Sequence, residues 1–174
     1  MSIETLTVSS VMVRDVKTAR ESQPLGSVAK IMADNNIGSV VIVKDSDLTK
    51  PTGIITETDV VRAVGSERAP TLLVSASDVM SSPIVTINMS SSIRDALQQM
   101  ELKNIRRLVV VDKEKQMIGI ITDKDIFRAL MKSQTLVTSF CESFMVEYKP
   151  VYERLTEFML GEMPVPGGGP GEGP

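Results

Sequence analysis

Two turns in this chain carry the same spacing of a glycine, a hydroxyl and a carboxylate. They are Gly53-Ile54-Ile55-Thr56-Glu57-Thr58-Asp59 and Gly119-Ile120-Ile121-Thr122-Asp123-Lys124-Asp125. In each, an apolar run that reads as a strand leads into a stretch that reads as a helix. A helix start offers unpaired backbone N–H groups and the positive end of the helix dipole, which suits an anion such as phosphate. The threonine hydroxyl adds a donor there, and an aspartate three residues on can accept both hydroxyls of a ribose. The same spacing also makes a helix capping box, with threonine as cap and the acid in the first turn. Glu57 and Asp123 favour the dipole but oppose a phosphate. The residues alone leave ligand site and cap both open.

Other chemistry is scarce. Histidine is absent, which removes the commonest general base and metal ligand. The single cysteine, Cys141, cannot form an intrachain disulfide or a zinc cluster. It lies between Phe140 and Phe144 and is followed by Glu142, so it reads as a small packing residue rather than a reactive thiol. No nucleophile–base set emerges, and a non-enzyme with no metal is expected. The net charge of −3 argues against a surface that grips nucleic acid all over. The first ten residues lack the pattern of a secretory signal. Apolar runs such as Val40–Val43 are far too short to span a bilayer. A soluble, cytoplasmic protein without membrane contact is expected.

The elements that must position the two turns come from a duplication. Residues 11–43 fall on 79–111, with identities at Val11/Val79, Met12/Met80, Thr18/Thr86, Ser22/Ser90, Met32/Met100, Asn36/Asn104, Ile37/Ile105, Val41/Val109 and Val43/Val111. The match resumes where Gly53 falls on Gly119 and runs to Arg62-Ala63 on Arg128-Ala129. Each copy predicts a first strand (16–19 or 84–87) and then a helix. Leu25, Val28, Ala29 and Met32 form the inner stripe of one helix, and Ile93, Ala96, Leu97 and Met100 that of the other. Ser22 and Pro24 mark the first helix start, and Ser92 with Asp95 the second. The runs Val40–Val43 and Leu108–Val111 suit strands covered on both faces. Lys44–Asp47 with Pro51, and Asp112–Lys115, read as turns. A third strand (53–55 or 118–121) then leads to a last helix. Its apolar face is Val60, Val61 and Val64 in one copy and Ile126, Phe127 and Leu130 in the other. The fold class is α/β, as tandem β-α-β-β-α repeats. A module of about 55 residues has a marginal core alone, so the copies are expected to pack together.

This doubled pattern, closed each time by Gly-Ile-Ile-Thr-x-x-Asp and opened by Val11-Met12 or Val79-Met80, resembles a tandem pair of CBS domains, named after cystathionine β-synthase. The resemblance covers residues 9–132. It implies a first domain at 9–65, a linker at 66–76 and a second domain at 77–132, with clefts between the copies and a homodimer as the assembly. It also implies a stand-alone regulatory sensor for adenosine-containing ligands such as AMP, ADP, ATP or S-adenosylmethionine. Carried over by position, Asp59 and Asp125 hold ribose while Thr56 and Thr122 contact phosphate beside Gly53 and Gly119. Thr18 and Thr86 sit by the base, with walls from Ile54-Ile55 and Ile120-Ile121. Arg106 and Arg107 match phosphate-reaching positions, where the first copy has Gly38 and Ser39.

Five of the aromatic residues (four Phe and two Tyr in all) lie beyond residue 132. Leu136, Phe140 and Phe144, flanked by Val137, Cys141 and Met145, suggest an amphipathic helix. Pro150 should interrupt it after Tyr148. A second stretch carries Val151, Leu155, Phe158 and Met159, and Tyr148 and Tyr152 are the other aromatic residues of the segment. A helical extension over 133–160 is expected, serving as cover for the pair's own core or as a dock for a protein effector. A flexible Gly/Pro-rich tail is expected over 161–174. Two rival functions remain at this stage. Lys103, Arg106, Arg107, Lys113, Lys115, Lys124, Arg128 and Lys132 make the second copy locally basic, as a nucleic-acid-binding regulator would need. A purely structural dimer with empty clefts is the other.

The arginine pair makes the two copies unequal in charge. Replacing Arg106 and Arg107 by alanine is expected to weaken ATP binding more than AMP binding in a calorimetric titration. Equal losses would exclude a phosphate-counting role.

Overall fold

The computed structural model describes residues 6–66, 74–144 and 149–162. The first described element is a one-turn helix, α1 (Val8–Val11). The first repeat then follows as β1 (Thr18–Arg20), α2 (Leu25–Asn35), β2 (Ser39–Lys44), β3 (Asp47–Thr56) and α3 (Glu57–Gly65). A second one-turn helix, α4 (Ala76–Val79), precedes β4 (Thr86–Asn88), α5 (Ile93–Leu102), β5 (Arg107–Val111), β6 (Met117–Thr122) and α6 (Asp123–Leu130). The last two described elements are α7 (Gln134–Phe144) and α8 (Lys149–Glu162).

Each repeat is a three-stranded sheet in chain order, its first strand pair parallel and its second antiparallel. The crossovers α2 and α5 make the parallel step, which a tight hairpin cannot. Their apolar stripes are buried as the spacing predicts: Leu25, Val28 and Met32 in one, Ile93, Ala96, Leu97 and Met100 in the other. Both helices are followed by an asparagine in the left-handed region, Asn36 at φ 51° and Asn104 at φ 50°. Asparagine tolerates that conformation better than most residues, which accounts for its presence in both copies. Ser92 and Asp95 cap α5 reciprocally, as expected. Ser22 does not cap α2 but donates to Asp45 Oδ1 at 2.7 Å. The first strands begin two residues later than expected. β3 begins well before Gly53, because the segment read as a turn stays paired with β2 through register shifts beside Val43.

The central strands are buried on both faces, and each face has its own partner. Val40 and Ile42 pack on the helices of their own repeat, as Leu108 and Val110 do in the second. The alternate residues Val41 and Val43 meet Val109 and Val111, with Ile54 and Ile120 beside them, so the two sheets pack face to face. In the last helices the copies part. Ile126, Phe127 and Leu130 of α6 are buried, but Val61 and Val64 of α3 are 70% and 60% exposed, contrary to their assignment to the core. Only Val60 and Ala63 of that helix pack on the core.

The opening segments are exchanged. Leu6, Val8 and Met12 lie in the core of the second repeat, and Val13 pairs with Ile120 on β6 through two backbone bonds of 2.9 Å. Reciprocally, Ala76, Val79 and Met80 pack into the first repeat, and Ser81 pairs with Ile54 on β3 at 2.9 and 3.1 Å. Each repeat thus covers the outer edge strand of the other, which would otherwise be an unpaired edge. The exchange explains two shared sequence features at once. A side chain at Gly53 would run into Met80, and one at Gly119 would place its Cβ 2.8 Å from Met12 Sδ. The glycine of each turn makes room for the Val-Met of the other copy.

The described residues of α7 and α8 pack on the core of the second repeat. Leu136, Phe140 and Leu155 are buried in its core, with Phe158 and Met159 packed against it. Phe127 meets Phe140 edge-on at 6.5 Å and Phe158 at 5.9 Å between ring centres. Pro150 falls in the first turn of α8, where its missing N–H costs nothing. The side chains of Cys141, Phe144, Val151 and Tyr152, and residues Met145 and Tyr148, lie outside the described residues. So do most of the expected linker (67–73) and the expected tail from residue 163. Among the described residues no helix is long and apolar enough to cross a membrane.

Gly119→Ala is expected to lower unfolding free energy by about 1–3 kcal/mol, because the added methyl overpacks a buried contact. Urea denaturation measures it. Pairing the change with Met12→Ala should cost less than the sum of the single losses.

Candidate functional site

Both Gly-x-x-Thr-x-x-Asp turns open onto one continuous cleft of about 1370 Å³ between the repeats. Its floor is apolar, from Val41, Ile54, Val109 and Ile120. These residues belong to the sheet-on-sheet layer, so their positions are fixed by the packing that joins the repeats. Thr56 and Asp59 line it from the first repeat and Thr122 and Asp125 from the second. The segments just before β1 and β4 line the sides, including Asp15, Lys17 and Ile84.

At each end the cap reading of the sequence is realised in full. Thr56 Oγ1 donates to Asp59 Oδ2 at 2.6 Å and the Thr56 N–H donates to the same oxygen at 2.8 Å. The Asp59 N–H returns a bond to Thr56 Oγ1 at 3.4 Å. The second turn repeats this at 2.6, 3.0 and 3.2 Å. Each cap uses only Oδ2 of its aspartate, so Oδ1 lies outside it. Asp125 Oδ1 stands 3.6 Å from Arg128 Nη1. Capping and a second role are therefore compatible, because each cap holds its aspartate through Oδ2 and does not use Oδ1.

The arginine pair divides its tasks. Arg107, the first residue of β5, reaches across to the first repeat and donates from Nη1 to the Gly38 carbonyl at 2.9 Å. Glu57 N–H donates to that same carbonyl at 3.4 Å. Burial pushes the Arg107 guanidinium pKa below its ordinary value, while Asp123, Glu57 and Asp59 work in the opposite direction. Arg106 gives its carbonyl to the Asp123 N–H at 3.1 Å, and its side chain is exposed at the cleft. Asp123 is itself buried, at 6% exposure, and Arg154 of α8 stands behind it with Nε 3.6 Å from Oδ2.

Of the residues expected at the site, the structure brings Ser39, Ile54, Thr56, Asp59, Arg106, Arg107, Ile120, Thr122 and Asp125 together in the cleft. Gly53 and Gly119 are not on its surface but lie against Met80 and Met12. Thr18 is paired with Val41 inside the first sheet and does not line the cleft. Thr86 lines a separate depression of about 510 Å³ with Asn88, Lys44 and Lys113. Both threonines miss the cleft because their strands start at them, so the residues just before each strand are the ones that face it. Asp123, Arg128 and Gly38, which the sequence marks for their charge or as the counterpart of the arginine pair, also line the cleft, and so do Asp15 and Lys17, which carry no sequence signal. Gly38 stands where the second copy has Arg106. Its small size lets Glu57 and Arg107 converge on its carbonyl, since a Cβ there would lie 3.2 Å from Glu57 Oε2.

A family model described as the CBS domain matches residues 8–66 and again 76–132. The chain belongs to the CBS domain family, as a tandem pair carrying a C-terminal helical extension. An uncharacterized protein of Methanopyrus kandleri is 38% identical over 126 residues, covering 72% of this chain and 63% of that protein. A homoserine O-acetyltransferase of Methanohalobium evestigatum is 27% identical over 123 residues, which is 71% of this chain and 24% of the enzyme. The chain thus spans less than two thirds of the length of these relatives. Among solved structures, a CBS domain protein from Pyrobaculum aerophilum complexed with AMP aligns with TM-score 0.68 at 24% identity, over 79% of this chain and 99% of that one. A CBS domain pair in complex with 5′-methylthioadenosine and S-adenosyl-L-methionine aligns with TM-score 0.64 at 25% identity, over 72% and 96%.

Replacing Asp59 or Asp125 by alanine removes a capping box. It is expected to cost about 1 kcal/mol of stability each, without any ligand present. Thermal unfolding of the two single variants measures this, and unchanged melting would mean that the caps carry no net weight.

Proposed function

We propose that this chain is a non-catalytic regulatory sensor that binds an adenosine-containing ligand in the cleft between its two CBS domains. The observation that carries the reading is the pairing of two capped Thr-x-x-Asp turns across one apolar floor. A purine base matches the floor of Val41, Ile54, Val109 and Ile120. The Oδ1 atoms of Asp59 and Asp125 are acceptors suited to ribose hydroxyls. The helix starts at Thr56 and Thr122, with the exposed Arg106, suit a 5′-phosphate. The relative solved with 5′-methylthioadenosine and S-adenosyl-L-methionine supports this ligand class. AMP, ADP, ATP and S-adenosylmethionine all share the adenosine part that the turns would hold.

Signalling requires more than binding. The ligand must favour one arrangement of the two domains, or of a dimer, over another. The two turns come from different domains and Arg107 reaches from the second to the first, so a ligand spanning both turns would tighten that arrangement. The proposal includes a cytoplasmic homodimer, for which the exposed Val61 and Val64 of α3 offer apolar surface. α7 and α8 serve as core cover in this reading, rather than as the sole seat of an effector.

A thermal-shift series with AMP, ADP, ATP, S-adenosylmethionine and 5′-methylthioadenosine tests the proposal. A ligand held at one hundred times its dissociation constant adds about 2.7 kcal/mol of stability. At least one adenosine ligand is expected to raise the melting temperature, and Asp59→Ala/Asp125→Ala is expected to lose the rise. No shift with any of them, together with salt-sensitive binding of short DNA, would replace this reading with nucleic-acid regulation.

A further inference from the structure

We propose that Arg154, from the C-terminal extension outside both CBS domains, sets the charge preference of the cleft by neutralising Asp123 from behind. The inference rests on the adenosine-ligand reading and deepens it, because it names the class of ligand admitted: one with an anionic 5′ group.

The starting point is a buried carboxylate in an awkward place. Asp123 opens α6, next to the cap residue Thr122, and lies on the cleft wall. It is the first of three carboxylates that act on Arg107, ahead of Glu57 and Asp59. Left to itself, Asp123 would engage Arg107 and repel a phosphate arriving there. A carboxylate in such a site needs a compensating charge.

Arg154 supplies that charge from the far side. It belongs to α8, it does not line the cleft, and its Nε stands 3.6 Å from Asp123 Oδ2. That is ion-pair distance but too long for a hydrogen bond. Its Nη1 reaches Glu101 Oε2 on α5 at 3.3 Å. Nε and Nη2 are buried with no hydrogen-bond acceptor among the described residues, so the guanidinium is held by charge and packing rather than by a full set of bonds. Leu155, the next residue along the helix, is fully buried in the second core and fixes the turn that carries Arg154. A cation under-satisfied in this way acts on Asp123 and leaves Arg107 available to an incoming anion. Neither repeat contains a counterpart, since the extension follows the second repeat alone. The cleft is therefore biased at its α6 end.

The test compares AMP with 5′-methylthioadenosine, which shares the adenosine but lacks the phosphate. Both are titrated calorimetrically against the full chain. Arg154→Met is expected to weaken AMP roughly fivefold relative to 5′-methylthioadenosine, as an uncompensated charge at the cleft wall would. Adding Asp123→Asn should restore the wild-type ratio, and Arg154→Lys should keep it. The double variant leaves no unpaired charge at position 123, and Glu101 loses its Arg154 contact in both variants alike, so the double variant also controls for misfolding of the single one. A ratio unchanged in Arg154→Met would overturn the inference while leaving adenosine binding intact. So would equal loss of both ligands that Asp123→Asn does not restore, since that is the mark of a merely structural role. Failure of the wild-type chain to bind either ligand would overturn the functional reading itself, and this inference with it.

Discussion

Val41 and Val43 of one sheet meet Val109 and Val111 of the other, and most of the architecture follows from that layer. A three-stranded sheet with helices on one side leaves its second face bare. Here the bare face is a row of valines, which water cannot be allowed to reach. Covering it with a copy of itself closes the core. It also brings Ile54 and Ile120 to the rim, where they become the cleft floor. The two helix starts that follow β3 and β6 are then held across one space. The cleft is the edge of the packing surface, not a separate construction.

The duplication and its periodicities were legible because they depend on local pattern. Leu25, Val28 and Met32, or Ile93, Leu97 and Met100, announce their buried faces by spacing alone. So did the double burial of Val40–Val43 and Leu108–Val111. What spacing does not encode is which neighbour a segment meets. The chain around Val11-Met12 looks like the start of the first repeat, yet it packs into the second. Val61 and Val64 look like the inner face of α3, but that helix is short and lies against the core through Val60 and Ala63 only. The same limit applies at the site. Thr56, Asp59, Thr122 and Asp125 were legible because cap and candidate ligand role use the same short pattern. Asp15 and Lys17 were not, because they reach the cleft through tertiary placement. Nothing in their local sequence distinguishes them from ordinary surface residues.

Unequal copies make an unequal protein. Phe127 of the second repeat packs against both Phe140 of α7 and Phe158 of α8. The first relies on aliphatic side chains and the borrowed Ala76, Val79 and Met80. Full burial of a large apolar side chain contributes about 1.5–3 kcal/mol, so the second core is expected to be the firmer of the two. Charge follows the same division. Arg106, Arg107, Lys124 and Arg128 all come from the second repeat. One side of the cleft thus supplies most of the cations while both supply the aspartates.

The exchanged opening segments have a consequence for how the chain is made. A nascent chain leaves the ribosome from its N-terminus, and a domain generally folds once all of its parts have emerged. The first repeat here cannot finish when its own α3 appears, because Ser81 and Met80 must still arrive to pair with Ile54 and cover Gly53. Meanwhile Val8 waits for Ser91, its backbone partner, and Val13 waits for Ile120. Contacts so distant along the chain slow folding. The order of synthesis therefore cannot be the order of assembly. The two halves must complete one another late and nearly together, in the manner of two hands clasping.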